Sequence, residues 1–335
     1  MQKSNVRYFE NLKELITYCE KIIDNKNCLT FVDGNVLTKF PILQNTTMNL
    51  KKIEIKEDEK NLNTVTKIWE DMFEQSIQRT STIFSIGGGV MSDSIGFAAS
   101  TYKRGTSLIL IPTTLLSMVD AAHGGKNGIN TKHGKNQLGT FMIPEEVLIC
   151  PEFLNELPEN QIKSGLIELI KAGFLKNPEL VEEVYDIDIT KINIELIKSA
   201  IDIKNGIVES DFKETSERMY LNFGHTIGHL IEIDSNHGIS HGEAVAIGIL
   251  KALRISEKKC NLDTVVVESF ENFLKKLEFD IDYKFNSELN QLRDLLSNDK
   301  KSSNNIVRYV LLRNIGDPIL IDYNLDELLN ELNYA

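Results

Sequence analysis

The stretch from Arg218 to Gly242, RMYLNFGHTIGHLIEIDSNHGISHG, constrains this chain most. Read as part of a helix over 215–233, it sets Arg218, Asn222, His225 and His229 at spacings that form one face. Met219, Leu221, Phe223, Ile227, Leu230 and Ile231 take the other faces. A helix apolar over most of its circumference is buried. Its polar stripe must then meet a metal, a charged ligand or a partner side chain. Four of the six histidines fall here, at 225, 229, 237 and 241. His-x-x-x-His alone is equally satisfied by two hydrogen-bonded core histidines. The added Arg, Asn and following His-Gly-Glu point instead to a site.

The chain has 335 residues, enough for two domains with their own cores. Short apolar runs at 28–35, 51–56, 82–90, 107–114 and 147–150 alternate with helical patterns at 9–24, 62–77 and 91–102. That alternation predicts a parallel sheet with helices on both faces over residues 1–150. From Pro151 onward helical periodicity dominates, at 159–176, 189–209, 215–233, 241–258, 264–276 and 287–297, and only 306–312 and 318–322 look extended. Residues 151–335 are therefore expected to form a mainly α-helical domain, with the active site in the cleft between the two.

The net charge is −12, and no basic run stands out, which argues against nucleic acid or an anionic membrane as partner. Yet Lys103, Arg104, Lys126, Lys135, Lys171 and Lys204 recur inside Gly-rich or apolar segments. Cations held in the interior of an acidic protein suggest a small anionic substrate. The four cysteines lack metal-type spacing and fit a reduced cytoplasm, each as a small hydrophobe. No signal peptide or long apolar span is evident.

Gly87-Gly88-Gly89 closes a strand before a helix, where backbone amides and the helix N-terminus favour a pyrophosphate. A tight turn would use the same glycines, and Asp93, Thr113 and Thr114 serve equally as cofactor contacts or helix caps. Residues 123–136, HGGKNGINTKHGKN, read as a loop, or as a Gly-rich arm presenting cations to phosphate or carboxylate. In SGLIELIKAGF (164–174), Glu168 and Lys171 are the only charges on an apolar helix and face inward together. Glu168, His225 and His241 would supply three metal ligands and leave positions open, as a catalytic zinc requires.

These motifs together resemble the dehydroquinate synthase family of sugar-phosphate cyclases. The resemblance covers about residues 28–322 and rests on GGGVMSDSIGF, TYKRG, IPTTLLSMVDAAHGGKNGIN, GKNQLGTF, SGLIELIK, LNFGHTIGH and HGEAVAIG, in the family's order. It implies an NAD- and metal-dependent phosphate lyase that cyclises 3-deoxy-arabino-heptulosonate 7-phosphate to 3-dehydroquinate. NAD takes a hydride, phosphate leaves by elimination, NADH returns the hydride, and an aldol step closes the ring. The resemblance assigns the metal, zinc with cobalt or iron as alternatives, to Glu168, His225 and His241. His229 becomes a catalytic residue with Lys126, Lys171, Lys204 and Asn222. Substrate contacts map to Arg104, Asp120, Lys126, Lys135, Asn136, Lys171, Lys204, Arg218 and Asn222, with one lysine of Lys300-Lys301. NAD contacts map to Asp33, Glu57, Lys60, Gly88, Gly89, Asp93, Thr113, Thr114, Phe153 and Leu157. The counterpart of Arg104 crosses from a partner subunit, which implies a homodimer.

The chain departs from the family's usual pattern at Ala121, Ala122, His123 and Asn127, at Ser92, and at Glu156, where a threonine is common. Cyclases for other sugar phosphates differ in the same region and are the alternative reading. A metal-dependent polyol dehydrogenase shares the two-domain plan but has no use for so many substrate-facing cations.

Overall fold

The computed structural model describes residues 4–24, 27–236, 238–299 and 306–332. The chain divides into two compact units, one of residues 1–162 with 188–205 and one of 163–187 with 206–335. The division therefore falls twelve residues beyond the expected boundary at 150, and the segment 188–205 returns to the first unit.

The first unit opens with β1 (Asn5–Tyr8), α1 (Leu12–Ile23), β2 (Cys28–Asp33), α2 (Gly34–Lys39), β3 (Leu50–Ile53), α3 (Leu62–Glu74), β4 (Thr82–Gly87) and α4 (Gly89–Thr101). It continues with β5 (Ser107–Pro112), β6 (Lys126–Thr131), β7 (Gly134–Phe141) and β8 (Glu146–Ile149). A six-stranded sheet runs β1-β8-β5-β4-β2-β3, and every pairing in it is parallel. β4 and β8 are buried along their whole length, as strands covered on both faces must be. The chain winds outward from β2 to β3, then returns to β4 and continues the other way to β5. That reversal between β2 and β4 is where a doubly wound sheet opens a crevice beyond its strand ends. β1 was not anticipated: it is a four-residue edge strand with alternating burial, too short to give a period.

The segment expected as a loop or arm at 123–136 is the start of an antiparallel hairpin, β6 with β7, apart from the main sheet. Glycines at 128, 134 and 139 hid its alternation, since a glycine contributes no side chain to a face.

In the remainder, α5 (Glu159–Lys176), α6 (Pro178–Tyr185), α7 (Ile194–Ser210), α8 (His225–Asp234), α9 (His241–Cys260), α10 (Thr264–Lys276) and α11 (Leu289–Asp299) are followed by β9 (Ile306–Asn314), β10 (Asp317–Asn324) and α12 (Leu325–Leu332). α6 starts at Pro178, with Asn177 capping it through Leu180 N. The β9–β10 hairpin is joined to α9 by Ser256, whose buried hydroxyl accepts from Leu312 N.

The helix expected over 215–233 is two elements. Glu217–Asn222 is a 3-10 turn, and α8 begins afresh at His225. Between them Gly224 sits at φ 77°, ψ −25°, a left-handed conformation that costs other residues roughly 1–2 kcal/mol. A Cβ there would lie 2.4 Å from Ile249 Cγ1. The reciprocal glycine, Gly248 on α9, would put a Cβ 2.0 Å from Gly224 O. The chain breaks the helix so that α8 and α9 can touch backbone to backbone. Arg218 and Asn222 accordingly do not continue the face of His225 and His229.

Candidate active site

The close contact of α8 and α9 brings His225, at the first position of one helix, near His241, at the first position of the other. Their ring centroids are 5.5 Å apart. Glu168 on α5 completes the cluster, its Oε1 lying 3.4 Å from His225 Nε2 and 3.6 Å from His241 Nε2. Four ligands at about 2.1 Å from a tetrahedral zinc are separated by about 3.4 Å, so these gaps are those of a ligand set. Both oxygens of Glu168 are buried and lack a partner in hydrogen-bond geometry, although Lys171 Nζ stands 2.5 Å from Oε2. A buried carboxylate without hydrogen bonds is costly. A divalent cation among the three side chains removes that cost, and the residues present fit one.

The remaining ring nitrogens are occupied. His225 Nδ1 is 3.2 Å from Phe223 O, and His241 Nδ1 is 3.3 Å from Glu232 Oε2. Each contact favours a proton on Nδ1 and turns the Nε2 lone pair toward Glu168, as in carboxylate–histidine–metal arrangements. Burial pushes the Glu168 carboxyl up, but Lys171 and the two imidazoles outweigh it and hold it well below the usual range. Burial and then Lys171 push His225 down to about 3. Burial also works against a charged His241, but Glu168 and Glu232 raise it to about 10. The site thus demands positive charge between its two carboxylates, which a metal supplies while displacing a proton. His229 lies beside this cluster, 5.5 Å from His225 and 6.3 Å from His241 between ring centroids. Together with Glu232 and His241 it forms a second ligand-type group.

Arg218 and Asn222 are organised by the loop before the 3-10 turn. Asp211 accepts from the backbone N–H of Thr215 at 2.9 Å, Ser216 at 2.6 Å and Arg218 at 3.2 Å, and from the Thr215 hydroxyl at 3.1 Å. Those backbone amides hold its carboxyl far below the usual range. The Arg218 guanidinium, 3 % exposed as a residue, donates through Nη1 to Phe212 O at 2.7 Å. Asn222 Nδ2 donates to Glu214 Oε1 at 2.9 Å.

In the first unit, a cavity of about 470 Å³ opens beyond the ends of β2, β4 and β5. Asp33, Gly88, Gly89, Thr113, Thr114, Phe153 and Leu157 line it, beside Glu156. Asp33 also caps α2, and Thr114 Oγ1 accepts from Ser117 N, so the capping and lining roles coexist. Glu57, Lys60 and Asp93 form a separate polar group with the hairpin. Lys60 Nζ is 2.5 Å from Asp93 Oδ2 and 2.7 Å from Asn136 Oδ1. Lys204 Nζ is bound to Asp120 through its Oδ1 at 2.6 Å and its backbone O at 2.5 Å. Lys126 is exposed and Lys135 half-buried on the hairpin, and Arg104 is exposed after α4. Lys300 and Lys301 lie outside the described residues.

The sequence profile described as 3-dehydroquinate synthase N-terminal matches residues 50–164, and that described as 3-dehydroquinate synthase C-terminal matches residues 165–302. A 3-dehydroquinate synthase from Clostridium tetani is 38% identical over 325 residues, 93% of this chain and 86% of that protein. One from Streptococcus sanguinis is 38% identical over 278 residues, 81% of this chain and 78% of that protein. The chain belongs to the 3-dehydroquinate synthase family. Its fold is also that of 2-epi-5-epi-valiolone synthase from Streptomyces hygroscopicus, solved with NAD+ and Zn2+, at a TM-score of 0.86 and 24% identity, covering 100% of this chain and 97% of that one. A 2-deoxy-scyllo-inosose synthase complexed with carbaglucose-6-phosphate, NAD+ and Co2+ gives 0.85 and 23%, covering 99% and 97%.

Sequence reasoning in this family overlooked Glu232, Asp211 and Asn130. Glu232 carried a signal: it is the one carboxylate on α8 before the terminal Asp234, seven residues after His225. Asp211 and Asn130 carried none, because most of their partners are backbone groups.

Proposed function

We propose that the chain converts 3-deoxy-arabino-heptulosonate 7-phosphate to 3-dehydroquinate and phosphate, with Glu168, His225 and His241 holding a divalent metal, zinc by preference. The observation that carries this is the buried Glu168 carboxylate, ion-paired with Lys171 through one oxygen and facing two histidines at ligand spacing with the other. When bound, NAD would take and return a hydride at one ring carbon, and the metal would polarise the oxygen that this carbon carries. The chain supplies the rest. Asp33, Gly88, Gly89, Thr113, Thr114, Phe153 and Leu157 seat the cofactor, with Glu57, Lys60 and Asp93 beside them. Lys171 lies against Glu168 and is positioned to move a proton beside the metal. Arg218 grips an anionic end of the substrate through a fork of donors, and Lys126, Lys135, Asn136, Lys204, Asp120 and Asn222 contact the rest. His229 orients groups at the elimination centre.

The reading includes a homodimer with Arg104 reaching the partner's substrate. Lys103 and Arg104 both have positive φ, at 48° and 66°, and Gly105 follows at 109°. Two successive non-glycine residues at positive φ that present an exposed arginine are backbone strain kept for a purpose. The cysteines are buried or half-buried as small hydrophobes, which accords with a cytoplasmic enzyme.

The test is incubation of purified protein with NAD and the heptulosonate phosphate, following phosphate release and carbocycle formation together. Both are expected, NAD being required without net accumulation of NADH. Stoichiometric NADH from a simple polyol would give the activity to the dehydrogenase reading. Turnover of a different sugar phosphate alone would give it to another cyclase.

A further inference from the structure

Asn130, in β6, spends its polar groups on residues assigned to two different ligands. Its Nδ2 donates to Glu57 O and to Glu57 Oε1, each at 2.9 Å. Its Oδ1 accepts from Asn136 N at 2.9 Å, and its backbone N–H donates to Lys60 O at 2.7 Å. The orientation of the amide is fixed by these partners, since reversing it would set donor on donor and acceptor on acceptor. Lys60 adds a second link in the same direction, its Nζ joining Asp93 to Asn136. The hairpin that carries Lys126, Lys135 and Asn136 pairs with no strand of the main sheet. It packs on α4 through β6, with Ile129 fully buried, and β7 is largely exposed, so polar contacts of this kind bear on the β7 side, where Asn136 stands.

We infer that Asn130 is a positioning residue that couples the substrate arm to the cofactor site: occupancy at Glu57 and Lys60 sets the place of Asn136. The inference rests on the assignment of Glu57, Lys60 and Asp93 to NAD and of Asn136 to substrate. Coupling of this type is reciprocal, so substrate on the arm tightens NAD by the factor by which NAD tightens substrate.

Amide hydrogen exchange over residues 126–141, with and without saturating NAD, reads the coupling directly. In the parent protein NAD is expected to slow exchange in this segment by on the order of fivefold or more. In Asn130→Ala the slowing is lost, while calorimetry finds NAD still bound. Initial rates of phosphate release over a grid of both concentrations give the same answer kinetically. The factor by which substrate tightens NAD falls to within about twofold of one, and the loss appears in KM more than in kcat. Asn130→Asp keeps the acceptor for Asn136 N but faces Glu57 with a second carboxylate, so it too uncouples. Adding Glu57→Gln returns a donor to face that carboxylate at one of its two contacts and recovers part of the slowing, a rescue that a general loss of packing would not give. Retained slowing in Asn130→Ala and Asn130→Asp, or a parent hairpin indifferent to bound NAD, overturns the inference and leaves the cofactor assignment standing. A parent protein that binds no NAD overturns both.

Discussion

His241 Nδ1 and Glu232 Oε2 are 3.3 Å apart, through the ring nitrogen opposite the one that faces Glu168. The carboxylate fixes the ring and raises its basicity. Glu232→Gln should therefore lower metal affinity by about 10- to 100-fold with the fold intact. Glu168→Ala, His225→Ala and His241→Ala should each lose both metal and activity. Chelator competition with metal analysis of the recovered protein checks both statements. Unchanged affinity in Glu232→Gln would contradict its support of His241, and full occupancy in the three alanine variants would contradict the ligand assignment.

Arg218 and His229 separate binding from turnover. Lysine cannot reproduce the guanidinium fork. Arg218→Lys should keep metal and NAD but cost on the order of 2–3 kcal/mol in transition-state binding, roughly thirty- to a hundredfold in kcat/KM. His229→Ala should lower kcat more than it raises KM. Normal kinetics with a large fall in melting temperature in both variants would make these residues structural.

His123 gives a pH signature. Its Nε2 lies 2.8 Å from Met118 O and its Nδ1 is buried with no hydrogen-bond partner. Burial, with Lys204 nearby, pushes its pKa down to about 4. The unfolded chain takes up this proton near pH 6.5, while the folded chain refuses it until about 4. Stability at this site is thus unaffected above pH 6.5 and falls as the pH drops from there to 4, by on the order of 3 kcal/mol. His123→Gln keeps a donor toward Met118 O and does not titrate. Denaturant unfolding at pH 7, 5.5 and 4.5 should show the parent losing more stability than the variant, and parallel losses would refute the assignment.

Arg104 offers opposite effects on stability and activity. Glycine relieves the left-handed strain at this position, worth roughly 1 kcal/mol. Arg104→Gly should raise the melting temperature, lower kcat/KM and leave a dimer in sedimentation equilibrium. An active monomer, or a variant that is both stable and fully active, would remove the residue from the site.

Much of this was legible in the residues because it depends on local pattern. The apolar runs of β2, β4, β5 and β8 announced a doubly covered sheet, α5 and α10 kept the limits their periodicity gave, and α9 runs two residues further. The clustering of the proposed metal set was legible for a similar reason: Glu168, His225 and His241 are ionisable side chains in apolar segments, which must be buried with a partner. The break at Gly224 was not, because Phe223-Gly224-His225 fits a helical period well. The evidence against a helix there is Ile249, more than twenty residues away. The hairpin was lost among its glycines, and the roles of Asp211 and Asn130 exist only once the folded backbone brings its amides and carbonyls to them.

One contact ties a departure from the family's pattern to a distant glycine. Asn127, where the family commonly has threonine, lies so close over Gly96 of α4 that a Cβ on residue 96 would meet its Oδ1 at 1.8 Å. A side chain at 96 therefore requires the Asn127 amide, which donates to Gly125 O, to swing away from α4. The bulk at 127 and the emptiness at 96 are one feature of the chain, so a methyl added on α4 is felt beside Lys126.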